Sequence, residues 1–261
     1  MSAVRPGGTL RGRRVVITRP AGQNERLAEL IRADGGEPIV FPAIEILELE
    51  DLHPLAAAAD RLESFDLAVF ISPNAVDKAM TVIQSRRNWP PGLQTATIGG
   101  GSEQALRRYG IVDVIAPSGR FDSEALLELL PLPAVAGKRI VIFRGVGGRQ
   151  LLGDTLVERG ATVDYVECYR RTRPTADAST LLRAWGRGEI DAVAIGSSEG
   201  LRNLFDMLGE AGQSWLKRTP VFVPHARIAE SAHALGCERV IETAPADEGI
   251  AAALAAFWAK M

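Results

Sequence analysis

The chain has 261 residues and a formal net charge of −2, with 24% charged and 46% hydrophobic residues. This balance is ordinary for a globular protein of one large or two small domains, and it gives no overall electrostatic attraction to nucleic acid or to an anionic membrane. No apolar run approaches the roughly 20 residues needed to span a bilayer.

The N-terminal segment and the two cysteines indicate which cellular compartment to expect for the protein. Residues 1–14 are basic and rich in glycine but contain no apolar stretch, so a signal peptide is not expected. Cys168 and Cys237 are far apart in the sequence and form no CxxC motif. We therefore expect a reduced, cytoplasmic protein without a structural metal.

The chain contains an internal repeat. Residues 12–19 (GRRVVITR) align without a gap with residues 137–144 (GKRIVIFR). The same offset of 125 residues aligns Gly22 with Gly147, Gly35 with Gly160, Asp66 with Asp191 and Ser72 with Ser197. Because this register persists across several predicted elements, we interpret the chain as two copies of one unit, 12–136 and 137–261.

Each copy alternates predicted strands with predicted helices. In the first copy, apolar runs at 15–18, 67–71 and 94–98 predict buried strands, and apolar residues at helical spacing predict a helix that ends at Gly35. The second copy has equivalent runs at 140–143, 192–195 and 220–223, a helix that ends at Gly160 and a final Ala-rich helix at 250–258. This alternation predicts an α/β fold with mostly parallel sheets covered by helices on both faces.

Two longer extended stretches interrupt the alternation. Residues 38–46 and 162–169 follow the first helix of each copy, and both exceed the roughly five or six residues of a common strand. A strand that continues past its own sheet is a natural connection between domains. We predict that each stretch is one extended run and makes such a connection.

The residues that follow the predicted strands are the candidate binding residues, because ligands of parallel sheets bind beyond the carboxyl ends of the strands. These segments are rich in glycine, serine and arginine, which suits anion binding by backbone N–H groups and guanidinium forks. The candidates for substrate binding are Arg19, Ser72, Asn74, Gly100, Ser102, Ser123, Arg144, Gly145, Gly147, Arg149, Ser197, Ser198 and Arg227. The same segments offer no pair of carboxylates, no Ser-His-Asp order and no set of metal ligands.

Structural roles compete with binding at several of these positions. Ser72, Ser123 and Ser197 are equally suited to cap the helices that follow them. The segment 144–149 (RGVGGR) lacks the GxGxxG spacing of a dinucleotide site, so nucleotide binding is not expected. Glycine at 145 and 147 is expected to let the backbone approach a carboxylate closely, and a positive φ is a further reason for glycine there.

Five segments, taken in order, complete the sequence evidence: VITRP at 16–20, FISPNAV at 70–76, FDSEALL at 121–127, RGVGGR at 144–149 and CYRR at 168–171. Together they resemble the uroporphyrinogen-III synthase family along essentially the whole chain. One segment departs from the family, which often has Gly-Pro followed by Thr where this chain has Pro224-His225-Ala226-Arg227. A threonine contact is therefore not expected in the second copy, whereas Ser102 fits the family pattern in the first.

The resemblance implies a specific architecture. It implies two flavodoxin-like, doubly wound parallel-sheet domains joined by a two-stranded connector, with the active site in the cleft between them. One domain would be built from residues 1–43 and 172–261, and the other from residues 44–171.

The resemblance also implies an activity. The enzyme would be a hydro-lyase of tetrapyrrole (haem) biosynthesis that cyclises hydroxymethylbilane to uroporphyrinogen III, with inversion of ring D, loss of water and no cofactor. Tyr169 would be the catalytic residue, although the residues alone would assign it to packing. A cytoplasmic monomer that binds a small molecule, and neither nucleic acid nor membrane, is expected. A two-domain module that binds an anionic ligand without catalysis is the alternative.

Overall fold

The computed structural model describes residues 8–120 and 122–259, so residues 1–7 of the first expected domain and Phe121 of the FDSEALL segment lie outside the described residues. The strands are β1 Arg14–Ile17, β2 Glu37–Val40, β3 Glu45–Leu47, β4 Leu67–Phe70, β5 Gln94–Thr97, β6 Arg139–Gly145, β7 Thr162–Thr172, β8 Ala192–Ala194, β9 Val221–Val223 and β10 Val240–Glu242. The α-helices are α1 Glu25–Ala33, α2 His53–Asp60, α3 Pro73–Arg86, α4 Gly100–Arg108, α5 Ser123–Leu129, α6 Leu132–Val135, α7 Leu151–Glu158, α8 Ser179–Gly186, α9 Ser198–Arg218, α10 Ala226–Ala234 and α11 Ala246–Trp258. A short 3-10 helix covers Leu62–Ser64.

The strands form two five-stranded sheets. The strand order is β10-β9-β8-β1-β2 in the first sheet and β3-β7-β6-β4-β5 in the second. Seven neighbouring pairs among the described residues are parallel. Numbered along the chain within the first sheet, its strands have the order 2-1-3-4-5 that is typical of flavodoxin-like folds. The predicted α/β fold class with two parallel doubly wound sheets is therefore confirmed.

Each sheet combines strands from both copies of the repeat. In the first sheet β1 and β2 come from the first copy and β8, β9 and β10 from the second; in the second sheet β6 and β7 of the second copy lie beside β4 and β5 of the first. The described chain accordingly divides into two compact units, one made of the residues up to Glu45 and from Thr172 onward, the other of Ile46–Arg171.

The two extended stretches differ from each other. Residues 162–169 lie within the single 11-residue strand β7. Residues 38–46 are divided between β2 and β3, so the prediction of one continuous run is wrong there. Pro42 lies in the gap and has no N–H with which to continue a sheet ladder. The backbone N–H of Ala43 instead donates to the carbonyl of Thr18 at 3.0 Å, beside the end of β1.

The helices that follow β1 and β6 end as predicted. Gly35 has φ +84° just after α1, and Gly160 has φ +85° just after α7. The left-handed backbone lets the next N–H turn back onto the helix, from Gly36 to Ile31 at 2.9 Å and from Ala161 to Leu156 at 3.0 Å. Glycine is favoured at this position because it has no Cβ to clash.

Each sheet is covered by apolar side chains on both faces. In β1, Val16 packs into one core cluster, while Val15 and Ile17 pack into another. In the second sheet, Phe70 and Phe143 stack at 4.9 Å on one face. Strands buried on both faces explain why the sequence shows continuous apolar runs instead of alternation. No helix among the described residues has both the length and the apolar character needed to cross a membrane.

Two repeat-related aspartates fasten strands of different copies to each other. The carboxylate of Asp191, just before β8, accepts a hydrogen bond from the backbone N–H of Arg14 at 2.9 Å. The carboxylate of Asp66, just before β4, accepts one from the N–H of Arg139 at 2.8 Å. Each aspartate also donates its own N–H to the carbonyl of the same arginine, at 2.9 and 2.8 Å respectively. These paired bonds set the start of β1 against β8 and of β6 against β4.

The Asp66 bonds make stability depend on pH. The hydrogen bond from Arg139 lowers the pKa of Asp66, and Lys138 lowers it further. A carboxyl with a lowered pKa in the folded state stabilises the fold above its unfolded pKa, about 4, and loses that contribution as the pH falls through the folded value. We expect Asp66→Asn to reduce the free energy of unfolding by about 0.5–1 kcal/mol at pH 7, a small effect because the side chain is 41% exposed.

Denaturant unfolding from pH 7 down to pH 3 measures this effect. The difference between Asp66→Asn and the parent should shrink below about pH 4. Asp113→Asn is the matched control, since Asp113 is exposed, and its change should be small at every pH. A difference for Asp66→Asn that is the same at pH 7 and pH 3 would contradict the assignment.

Candidate functional site

Most of the candidate residues lie where the strand order reverses in each sheet, between β1 and β8 in the first and between β6 and β4 in the second. Because these neighbours are parallel, their carboxyl ends meet at one edge of the sheet. The ends of parallel strands at such a reversal are where ligands of doubly wound folds bind.

In the second sheet, Ser72 and Tyr169 form a pair. Their hydroxyl oxygens lie 2.9 Å apart, and either can donate the hydrogen bond. Ser72 also caps α3, because its Oγ accepts the N–H of Ala75 at 3.1 Å. Tyr169 is 3% exposed and packs in the core of its unit, whereas Ser72 is half-buried. The phenol predicted to be catalytic is thus oriented by a serine that is itself fixed at a helix N-terminus.

Gly145 makes room for the Tyr169 ring. A Cβ atom at Gly145 would lie 2.7 Å from the ring, closer than real contacts allow. The register of β6 against β7 shifts between Arg144 and Gly145, so that Gly145 pairs with Tyr169. Gly147 has a different reason to be glycine, since its φ is +72° and a Cβ there would meet nothing within 4 Å. The expected positive φ is therefore present at Gly147 and absent from Gly145.

The two arginines of the segment 144–149 have different surroundings. Arg144 is 8% exposed, its guanidinium lies over the Tyr165 ring at 4.1 Å, and its Nη1 donates to the carbonyl of Gly148 at 3.2 Å. Arg149 has a side chain that is 52% exposed and pairs with Glu124 at 2.9 Å. This pairing with Arg149 lowers the pKa of Glu124. Arg149 is accordingly the more accessible cation for an anionic ligand.

The candidates on α4 and α5 differ in exposure and role. Gly100 is exposed at the start of α4, and Ser102 is buried within it. Ser123 is the first residue of α5 and does not cap it, so the expected capping role is wrong there. The cap is Asp122, which has extended backbone and accepts the N–H of Ala125 at 2.7 Å. Both residue types cap well, and the helix begins one residue earlier than the serine would require.

In the first sheet, Arg19 follows β1 and lies against Gly196, which follows β8. Its guanidinium forms an ion pair with Asp247 in the first turn of α11, and the two side chains are only 21% and 15% exposed. Ser197 caps α9 by accepting the N–H of Gly200 at 3.0 Å. Capping roles at Ser72 and Ser197 are thus confirmed.

The remaining candidates lie in first turns of helices. Asn74 is in the first turn of α3 and Ser198 in that of α9. Ser198 Oγ accepts a hydrogen bond from the Ser231 hydroxyl at 2.8 Å. Arg227 is exposed in the first turn of α10, after the family pattern breaks. These helices begin at the carboxyl ends of strands, where backbone N–H groups favour anions.

Burial raises the pKa of Cys168, beside Tyr169, to about 12, so its thiol is protonated at neutral pH. No group of three or more His, Cys, Asp or Glu side chains within the described ranges is placed to hold a metal ion.

Comparison with known proteins identifies the family. A family model described as uroporphyrinogen-III synthase HemD matches residues 25–252. The uroporphyrinogen-III synthase of Salmonella typhimurium is 35% identical over 87% of this chain and 93% of its own length, and that of Escherichia coli K12 is 33% identical over the same shares. The chain belongs to the uroporphyrinogen-III synthase family. The resemblance and the function expected from the five segments are therefore confirmed.

Solved structures of uroporphyrinogen-III synthases share the fold. A mutant of the enzyme from the extreme thermophile Thermus thermophilus is 21% identical, with a TM-score of 0.62 over 94% of this chain and 97% of its own. The Helicobacter pylori 26695 enzyme is 14% identical, with a TM-score of 0.57 over 95% of this chain and 100% of its own. At these identities the likeness establishes the two-sheet α/β fold.

Several residues around the candidates were missed from the sequence. They are the ion-pair partners Glu124 and Asp247, and Tyr165 and Asn24, which contact the loops after β6 and β1. One signal was present for the first two, because both are acidic residues in the first turn of a helix near the end of each copy. The fold thus places a carboxylate beside each of two candidate arginines, Arg149 and Arg19.

The Gly145 contact predicts a strong effect of one methyl group. Gly145→Ala should push the Tyr169 ring away from Ser72 and destabilise the fold by about 1–3 kcal/mol, the usual cost of overpacking. Gly92→Ala is the matched control, because a Cβ at Gly92 would meet nothing within 4 Å and its φ is not positive. Denaturant unfolding of the two variants measures the difference. Equal stabilities would show that the ring moves aside freely.

Proposed function

We propose that this member of the uroporphyrinogen-III synthase family acts as a cofactor-independent hydro-lyase that converts hydroxymethylbilane into uroporphyrinogen III. The observation that carries the proposal is the hydroxyl pair of Ser72 and Tyr169 at 2.9 Å. Ser72 follows β4 at the strand-order reversal, and the Tyr169 ring lies against Gly145 at the end of β6. The product is a precursor in porphyrin biosynthesis.

The proposed reaction begins with loss of the hydroxyl group on ring A of the substrate. This leaves an azafulvene-type cation, which the substituted carbon of ring D attacks to form a spiro intermediate. The intermediate fragments and recombines with ring D reversed, and the macrocycle closes. The net change is the loss of one water molecule, so neither an oxidant nor a reductant is needed.

Tyr169 is proposed to assist the departure of the hydroxyl group. A phenol hydroxyl can donate a proton or share it in a hydrogen bond with a departing group. With only 3% of Tyr169 exposed and its oxygen bonded to Ser72, the two hydroxyls are proposed to act as one hydrogen-bonding unit. Ser72 is the more exposed member.

The accessible members of the other candidates are proposed to bind the eight substrate carboxylates. The supporting features are exposed cations such as Arg149 and Arg227, and backbone N–H groups at the starts of α3, α4, α9 and α10. Many contacts of moderate strength suit the main task, because the substrate can close by itself to the isomer with ring D unreversed. Holding the chain where spiro attack is faster than direct closure is a matter of positioning.

We also propose a cytoplasmic monomer whose two domains are residues 1–43 with 172–261 and residues 44–171. The division of the described chain near Glu45 and Thr172 supports these bounds. The test of the proposed function is incubation with freshly made hydroxymethylbilane and separation of the type I and type III products. A protein that binds the bilane without forming type III product would instead be an anion-binding module.

Tyr169→Phe separates acid catalysis from positioning. Loss of an essential general acid slows a reaction by about 10²–10⁴-fold, whereas loss of one hydrogen bond worth about 1 kcal/mol slows it by about fivefold. We expect an effect near the smaller value, about five- to tenfold, with type III product still formed. The measurement is the initial rate of type III formation, with folding checked by circular dichroism.

Tyr109→Phe is the matched control, because Tyr109 is a half-buried tyrosine of the same unit that interacts with Asp77. Its rate should equal that of the parent. A folded but inactive Tyr169→Phe would make Tyr169 the essential acid, and a rate equal to the parent would return it to packing.

Cofactor independence gives a separate prediction. Because the substrate carries its own leaving group and its pyrrole nitrogen supplies the electrons that expel it, full activity is expected in EDTA and without added nucleotide. Activity is measured before and after dialysis against chelator. Loss of activity that one specific metal restores would contradict the prediction.

A further inference from the structure

The loop 146–150, between β6 and α7, is held by two side chains from neighbouring strands. Arg144, in β6, donates from Nη1 to the carbonyl of Gly148 at 3.2 Å. Tyr165, in β7, donates its hydroxyl to the carbonyl of Gln150 at 3.1 Å. The two bonds fix the loop on both sides of Arg149, the exposed cation expected to meet the substrate.

Arg144 is poorly placed to bind a ligand itself. Its guanidinium carbon lies 4.1 Å from the centroid of the Tyr165 ring, and its Nη2 lies 3.8 Å from the carboxylate of Glu167. Only 8% of the residue is exposed, and its Nε is buried without a hydrogen-bond partner in the described part of the chain. A guanidinium that grips a carboxylate presents its fork to the ligand, whereas this one is covered by an aromatic ring and a loop.

The position of the Tyr165 side chain is also closely determined by its neighbours. A Cβ atom at Gly153 would lie 1.9 Å from the Tyr165 hydroxyl oxygen, so the phenol occupies space that only a glycine leaves on α7. Burial raises the pKa of Tyr165, which keeps the hydroxyl protonated as the donor to Gln150. The arginine, the tyrosine and the glycine thus form one packed arrangement around the loop.

The other copy of the repeat holds its equivalent loop by a different residue. Asn24 is buried, and its side-chain amide donates to the carbonyls of Arg19 at 3.2 Å and Pro20 at 2.8 Å. In both copies, therefore, side chains restrain the loop after a central strand by donating hydrogen bonds to its backbone carbonyls. A recurring restraint built from unrelated residues indicates that loop geometry is what matters at both places.

We propose that Arg144 and Tyr165 are positioning residues, which set the backbone of the loop 146–150 and act on the reaction through it, and that Arg144 is not a substrate contact. The part of this inference that concerns the reaction rests on the proposed function. It revises the expectation that Arg144 binds substrate directly.

The experiment compares Tyr165→Phe, Arg144→Lys and the control Tyr109→Phe. Tyr165→Phe removes one hydroxyl and leaves the ring under Arg144. Arg144→Lys keeps the charge and loses the planar stack and fork. Amide hydrogen exchange of the peptide that contains residues 146–150 is measured without substrate, and KM and kcat for hydroxymethylbilane are measured separately.

Both loop variants should exchange about fivefold faster in this peptide, as expected for the loss of one hydrogen bond, while Tyr109→Phe should match the parent. Their KM should rise by a similar factor and their kcat should change less. Exchange unchanged in Tyr165→Phe would overturn the inference. So would an Arg144→Lys enzyme with raised KM and parental exchange, because that result is typical of a direct substrate contact.

The exchange result is independent of the proposed function. If the parent formed no type III product, the proposed function would fail, and faster exchange in the two variants would still support the restraint on the loop. If Arg144→Lys did not fold, Tyr165→Phe alone would decide, since it removes a single oxygen atom. If the parent were active and Tyr165→Phe exchanged at the parental rate, the inference about the loop would fail and the proposed function would stand.

Discussion

The parallel pairing of β1 with β8, and of β6 with β4, is the constraint on which the rest of the structure depends. It joins strands of different repeat copies, and the carboxylates of Asp191 and Asp66 fix its start by accepting the N–H groups of Arg14 and Arg139. Register matters because a slip of one residue would move every strand side chain to the opposite face. With the register fixed at one end, the candidate residues at the carboxyl ends are brought together at the other.

Fold and chemistry are coupled at Ser72. Its hydroxyl caps α3 and also bonds to Tyr169, so the same atom stabilises a helix and orients the proposed acid. The Tyr169 ring in turn packs in the core and requires glycine at 145. A substitution at any of these positions therefore changes both the stability of the fold and the position of the phenol. The reaction rate of each such variant has to be compared with its free energy of unfolding.

Much of the fold was predictable because doubly buried strands leave strong local signals. Local sequence alone is enough to identify the apolar runs of β1, β4, β6 and β8 and the helix-ending glycines Gly35 and Gly160. The exchange of strands between the two copies has no local signal in the sequence, and only the family resemblance implied it. Three features have no such signal: the break at Pro42, the cap at Asp122 and the ion pair of Arg19 with Asp247. The break and the ion pair depend on neighbours that are distant in sequence. The cap depends on a choice between two adjacent residues that both cap helices well. Local pattern does not decide such choices.

Arg19 and Arg144 are aligned by the repeat, yet they have different surroundings, and the aligned neighbours explain why. In β7, Tyr165 stands opposite Ile142 of β6, and the equivalent of Tyr165 in β2 is Val40, opposite Ile17 of β1. A valine offers no ring for a guanidinium to stack on, so Arg19 is balanced by a carboxylate instead. Gly153, which accommodates the Tyr165 hydroxyl, aligns with Ala28, where no hydroxyl needs the space. The two copies thus bury a cation at the carboxyl end of a central strand in different ways: Arg144 lies over the Tyr165 ring beside Glu167, whereas Arg19 pairs with Asp247 and has no ring to stack on.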